Sequence, residues 1–473
     1  MSRINTNIAS MVATRVLNTQ NKALNQSLTR LSTGLRINTG KDDPAGLIAS
    51  EALRSEKVAI GAALTNIQRA NNVIGTAEGS LDELNTLLTE MEDLVDRSAN
   101  EAGISDDERA ANQLQIDSIL DSINRIASST EFQGRKILSG ELAYTTSAVS
   151  SSDFGSVNIT SARLPNGGFR GVVVEVTGSA QLATLNYAAS ATGAGTTTLE
   201  IAGKQGTEVL SFASGTAIAN VAAAINQSSQ LTGVTATVSG AALRINSTAY
   251  GSDQFVSVKA LEGTFTVTGG DAGPTQDFGK DASVLVDGTK ASVKGLKASI
   301  GTSTFSGEFE LTSTFGTTLG NSTFYVTGGG ANFMISPKVS MTGMASLGIQ
   351  SVSTSNLGTG SLGFLSSLAS GQTNDMESGN YSIAQQIVRE AATQVSKLRG
   401  RLGAFQKDTL ETSSNALNIT LENTTAAESV IRDTDFASET TNLTKAQILV
   451  QSATQVLQIA NAQPQQVLRL LGG

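Results

Sequence analysis

Apolar residues recur every three or four positions in two long stretches at the ends of the chain, and every second position in the stretch between them. Leu17, Leu24, Leu28, Leu31 and Leu35 keep coiled-coil spacing and predict a helix over about residues 5–35. Asp43 then offers an N-cap and Pro44 a first helical residue, so a second helix starts there. Ile60, Leu64, Ile67, Ile74, Leu81, Leu84, Leu88, Met91 and Val95 carry its rhythm, with one irregularity near Ala77. Residues 58–97 alone would extend ~60 Å as helix, whereas a 100-residue globule has a radius of gyration of only ~13 Å. Gly103 ends that rod, and Ser105 with Glu108 forms a capping box for a third helix striped by Ile116, Ile119, Ile123 and Ile126.

Toward the other end, Val388, Ala391, Val395, Leu398, Leu402 and Phe405 keep the same rhythm, which weakens through Ala416 and Ile419. Asp433-Thr434-Asp435 breaks it, and Asp435 caps a last helix carrying Ala446, Leu449, Val450, Ala453, Val456, Leu457 and Ala460. An apolar tail with Leu468 and Leu471 follows Pro464. Between the rods, Val234–Val238, Leu243–Ile245 and Phe255–Val258 alternate as strands do. One short helix is predicted at about 216–227, with Thr216 as cap and Ile218, Val221 and Ile225 inward. Further short strands are expected over 280–345. The fold class that follows is α+β: long antiparallel coiled-coil-like helices from both chain ends, with an inserted β-rich outer part of one or two subdomains. Each rod has only a narrow stripe of small or aliphatic side chains, too little to offset its own ordering entropy. The stripes need partners, either within the chain or in another copy.

Composition sharpens this division. Residues 1–131 contain no aromatic side chain, and 36 of the 47 glycines fall in 132–379. Residues 1–44 carry six basic and two acidic residues, and residues 45–131 six basic and sixteen acidic. A basic tip beside an acidic shaft favours stacking of copies, although a solvated acidic face explains the shaft as well. The net charge of −9 argues against a nucleic-acid partner.

The chain has no cysteine and no histidine. That excludes disulfides, His- or Cys-ligated metals and Ser-His-Asp or Cys-His catalysis. No cofactor is expected, and the pairs Asp42-Asp43 and Asp106-Asp107 read as helix N-terminal charges rather than as an acid–base site. Residues 1–17 lack the apolar run of a signal peptide, and no stretch approaches the ~18–20 apolar residues that span a bilayer. The expectation is no membrane insertion, and export without a cleaved signal.

The segments Leu28–Asn38, Lys41–Gly46 and Thr130–Leu138 closely resemble the signatures of bacterial flagellin, as do Thr444–Leu449 and Ala460–Leu468 at the other end. The segment 216–258 is similar to a small repeat inserted in many flagellins. The resemblance implies a structural subunit that polymerises into the flagellar filament used for swimming, located outside the cell. A hook–filament junction protein is the alternative, disfavoured by the Gln463–Leu468 ending. The domains expected are an inner helical core of 1–44 plus 431–473 that lines the channel; a rod of 45–180 plus 376–430 with β-hairpin elements; and a surface-exposed β-rich insertion of 181–375.

The assembly core implied comprises Leu17, Leu24, Leu28, Leu31, Leu35, Leu449, Val450, Ala453, Val456, Leu457, Leu468 and Leu471. Partners implied are further copies, the flagellar cap and hook-junction proteins, and an export chaperone on the C-terminal helix. One departure stands out. In many flagellins the segment Leu88 to Arg97 binds a Toll-like receptor through a basic residue, where this chain has Glu90. An acidic residue of that epitope falls on Gln115, while Leu94 is retained. These changes imply weak or absent receptor activation.

Overall fold

The computed structural model describes residues 6–100, 102–164, 168–271, 273–302 and 304–471, the last eight by backbone alone. The chain divides into two units. One comprises Met1–Arg69, Met334–Gly343 and Asp408–Gly473; the other comprises Ala70–Phe333 and Met344–Lys407.

Seven helices of ten residues or more carry the labels used below. Helix α1 is Ile8–Thr33, α2 is Pro44–Ser98, α3 is Asp106–Ser129 and α4 is Ile218–Gln227. Helices α5 (Tyr381–Ala404) and α6 (Thr412–Arg432) are joined by a π-helical stretch, Phe405–Glu411, and α7 is Phe436–Leu471. Their boundaries follow from local chemistry. Asn7 accepts the Ser10 N–H at the start of α1, and Gly34, at φ +74°, ends it in a left-handed conformation that few residues but glycine adopt at low cost. The Asp43 carboxylate caps Gly46 N–H at 2.9 Å, Ser105 Oγ caps Glu108 N–H at 3.2 Å, and Asp435 accepts Ala437 N–H at 3.0 Å.

The irregularity near Ala77 disappears in the folded helix. Ile60, Ala63, Ile67, Ala70, Ile74, Ala77, Leu81, Leu84, Leu88, Met91 and Val95 are all buried and alternate steps of three and four without interruption. Three alanines fill heptad positions where the sequence pattern looks for larger side chains. Also buried are Ile116, Ile119 and Ile123 of α3 and Ala384, Val388, Ala391, Val395, Leu398 and Leu402 of α5.

Two β-rich subdomains lie in the second unit. In the first, a five-stranded antiparallel sheet has Arg170–Gly178 between Ser283–Val286 and Gly320–Gly329; a four-stranded sheet has Phe305–Leu311 between Lys297–Gly301 and Phe154–Ala162. Their shared core holds Phe154, Phe305, Phe309, Phe315 and Phe324. The Phe154 ring meets Phe315 and Phe324 edge-on, each at 5.7 Å. Strands 154–162 and 170–178, assigned to the rod in the sequence reading, thus complete a β core with residues 282–326. The alternation Val172, Val174, Val176 is the signal for this. The second subdomain inserts through the antiparallel bridge Gln181↔Lys280 and packs two four-stranded sheets and α4 around Leu185, Leu199, Ile245 and Val256. In α4, Ile218, Val221 and Ile225 are buried as expected. Thr216 does not cap this helix: its hydroxyl donates to Ala213 O at 2.7 Å, leaving Ala217 at the N-cap with no side-chain bond.

Candidate assembly surfaces

The signature between α1 and α2 is a built turn. Asp42 accepts the N–H groups of Thr39 (2.9 Å) and Asn38 (3.2 Å) and the Thr39 hydroxyl (3.0 Å). These bonds, the Thr39 N–H first, hold its carboxyl below the usual carboxylate range. Ile37 is buried. A Cβ on Gly46 would stand 2.5 Å from Asp43 Oδ2 and 2.6 Å from Ile37 Cδ1, so only glycine fits there without a shift. The turn is tied to the α6–α7 junction: Arg36 N–H donates to Arg432 O at 2.7 Å, and Thr434 N–H donates to Gly34 O at 2.9 Å. Beside it, Lys57 pairs with Glu428 at 2.6 Å and Arg432 with Glu51 at 3.1 Å.

Helices α1 and α7 run antiparallel. Asn7 Nδ2 donates to Ala460 O (2.8 Å) at one end, and Arg30 lies 3.6 Å from Glu439 at the other. The buried positions between them are Ala13 and Ser27 on α1, and Glu439, Ala446, Ala453 and Ala460 on α7. The last four repeat every seven residues. Small side chains therefore make the seam, and the expected leucines flank it. Leu17, Leu24, Leu31, Leu35, Val450 and Leu457 are half-buried, while Leu28 (47%), Leu449 (38%) and Val456 (55%) are exposed. Of the expected assembly residues only Ala453 is buried; the side chains of Leu468 and Leu471 lie outside the described residues. Sequence reasoning passed over Ala13 and Ser27, which an alternating three–four count from Leu17 would have located, and Glu439, seven residues before Ala446; Arg30 falls outside that count. The pair also leaves Ile8, Met11, Val12, Val16, Ile448 and Ile459 exposed.

In the second unit, α2 and α5 are also antiparallel. Arg389 pairs with Glu92 at 2.6 Å, and Arg399 meets Glu78 (2.8 Å) and Asp82 (3.0 Å). Every such acid is on α2 and every base on α5, so the acidic shaft is partly neutralised within its own chain. Buried Gln113 ties α3 to the segment before α5, donating to Leu368 O (2.9 Å) and accepting Met376 N–H (2.8 Å). Arg401 donates to Thr160 Oγ1 at 2.8 Å, and burial pulls its guanidinium below the usual range. Glu90 and Gln115 are exposed, whereas Leu94 is buried.

Paired terminal helices with an uncovered apolar side define a filament-forming subunit of the helical-core class. Residues 4–143 match the bacterial flagellin N-terminal helical region, 385–471 the C-terminal helical region, and 198–249 the flagellin hook IN motif. The B-type flagellin of Pseudomonas aeruginosa is 31% identical, covering 99% of both chains. Flagellin E of Vibrio cholerae is 28% identical over 99% of this chain and 98% of its own. This chain belongs to the bacterial flagellin family, a family of structural proteins, and its function is to polymerise into the extracellular filament used for swimming.

Proposed function

We propose that residues 1–44 and 431–473 form the innermost shell of the filament, and that polymerisation covers the apolar side that α1 and α7 leave open. One observation carries this reading: Ile8, Met11, Val16, Ile448, Val456 and Ile459 are each more than two-fifths exposed on helices whose mutual seam is mostly alanine and serine. Completing the burial of six such side chains gives on the order of 10 kcal/mol. Association costs about 4–15 kcal/mol, so a single contact is marginal and a lattice of repeated contacts is stable. Growth on seeds above a threshold concentration is the behaviour this balance gives. The chain works without catalysis or a cofactor: the seam and the turn are chemistry of packing and hydrogen bonding. The same open face suits a chaperone before export, and the growing end meets the cap and hook-junction proteins.

The test is a chain lacking Asp435–Gly473. It should lose seeded polymerisation altogether while its β-rich subdomains unfold at the temperature of the full chain. Filaments formed by this truncated chain would overturn the reading.

Receptor activation through the α2 epitope should be weak. Glu90 puts a negative charge where the receptor meets a cation, Gln115 lacks the epitope's acid, and Leu94 is buried within the subunit. A reporter-cell assay at low concentrations of depolymerised chain checks this, and a strong response would refute it.

A further inference from the structure

The second subdomain has two long outer strands, Thr207–Phe212 in one sheet and Val234–Ser239 in the other. Such strands present a row of N–H and C=O groups on which another chain can pair. The two differ in how that row is treated.

At Val234–Ser239 the Asn226 side chain takes both backbone groups of one residue. Ala236 N–H donates to Asn226 Oδ1 at 2.8 Å, and Asn226 Nδ2 donates to Ala236 O at 2.9 Å. This is the bonding an added strand would make. Because backbone direction alternates along a strand, Val234, Ala236 and Val238 all face away from the paired strand Ala242–Ser247. Val234 N–H is also occupied, donating to Thr232 Oγ1 at 3.2 Å. Among the described residues, no side chain bonds either backbone group of Val238. Asn226 is held in place by its neighbour Ile225, buried in the core with Val221 and Ile218.

At Thr207–Phe212 the row is open. Gly203 N–H bonds Gly206 O toward this strand, and Ile201 pairs with Glu208, so Thr207, Val209 and Ser211 face outward. Among the described residues no side chain bonds their backbone groups. Val209 is 51% exposed.

A module with two open edges can add copies without limit; a module with one open edge stops at a pair. We propose that Asn226 is a specificity determinant of polymerisation: by closing one edge of the inserted subdomain it prevents copies from propagating through strand edges, leaving growth to the terminal helices. This rests on growth through those helices, and it assigns the inserted subdomain a role the helices do not have.

The test uses the full chain carrying Asn226→Ala, compared with the unsubstituted chain and with Asn226→Ala/Ala236→Pro. Proline has no N–H and blocks an outward-facing edge position without removing a bond to Ala242–Ser247. Without seeds, Asn226→Ala should form species larger than dimers by light scattering, and its Ala236 amide should exchange about tenfold faster. The double variant should return to the size of the unsubstituted chain. On seeds all three should elongate at equal rates. The proposal is overturned if Asn226→Ala keeps the size of the unsubstituted chain, or if the proline variant associates as the single variant does. Loss of seeded growth in Asn226→Ala alone would also overturn it, since the edge would then belong to the filament contact itself. Filament growth by the chain lacking Asp435–Gly473 instead strikes the terminal-helix reading, so the two failures are distinguishable.

Discussion

The α1–α7 pair and the aromatic β subdomain solve the problem of a core in opposite ways. In the subdomain, four phenylalanines from the two sheets and Phe315 from the helical turn Ser313–Gly316 meet in one cluster, and Phe305, Phe309 and Phe324 are at most 2% exposed. Large rings from two facing sheets close a core within one copy. In the helix pair the buried positions are Ala13, Ser27, Ala446, Ala453 and Ala460, with Glu439 beside Arg30 the one long side chain among them. Small side chains bring two helices close but take little apolar area from water. The valines and isoleucines stay on the outside, where only another molecule can cover them. The β subdomain thus closes its core within one copy, whereas the helix pair leaves apolar side chains beside its own seam.

The largest expected effect breaks the module and spares the ends. Phe324→Ala removes a fully buried ring that contacts Phe154 and Phe309 at 5.7 Å each. It should cost about 3–5 kcal/mol, seen as a lower denaturant midpoint for the β-rich transition. Seeded polymerisation at low temperature should continue at the rate of the unsubstituted chain. Loss of polymerisation in a variant whose helices retain their far-UV signal would show that the two regions are not separable in this way.

Much of this contrast was legible in the sequence. The zero aromatic count before Phe132 and the glycine-rich middle placed the rods and the insertion. Asp43, Pro44, Ser105 and Asp435 placed helix starts because capping is a local property. Two features were not legible, and the cause is physical. Alanine is too small to mark a heptad by hydropathy, so the rhythm looked irregular near Ala77, Ala63 and Ala70 went unnamed, and the α1–α7 seam was sought chiefly among leucines and valines. Strand pairing is non-local, so nothing near Arg170–Gly178 announces that its partners are Ser283–Val286 and Gly320–Gly329. That is why residues 144–180 were grouped with the rod, as its β-hairpin elements.

An intermediate effect comes from the turn that joins α1 to α2. Gly46→Ala places a methyl against Asp43 Oδ2 and Ile37 Cδ1 at distances no carbon tolerates. Both the Asp43 cap and the Ile37 side chain must give way, at about 1–3 kcal/mol. The expected outcome is a slower seeded elongation and a raised threshold concentration, with the β-rich unfolding transition unchanged. An unaltered threshold would mean that the turn yields without disturbing the assembly face.

The smallest effect tests the module's surface chemistry by pH. Asp153 accepts the Ser322 hydroxyl at 2.7 Å, and that bond chiefly holds its carboxyl below the ordinary value of 3.8. A carboxylate with a depressed folded pKa stabilises the fold above its unfolded value, and that contribution is lost as pH falls through the folded one. Ser322→Ala removes the bond and lets the pKa rise. Hydrogen bonds to charged groups contribute about 1.5–3 kcal/mol when well shielded, and this partly exposed carboxylate should give about 1 kcal/mol. The difference between the two chains should therefore be full at neutral pH and shrink as pH drops below about 4, because the unfolded chain takes up the proton first and the folded Asp153 follows only at a lower pH. Other carboxylates titrate identically in the two proteins and cancel in the difference. Urea midpoints measured from pH 7 down to pH 3 follow it directly. A gap of constant size over that range would mean that Ser322 acts through packing beside Phe324 rather than through the charge on Asp153.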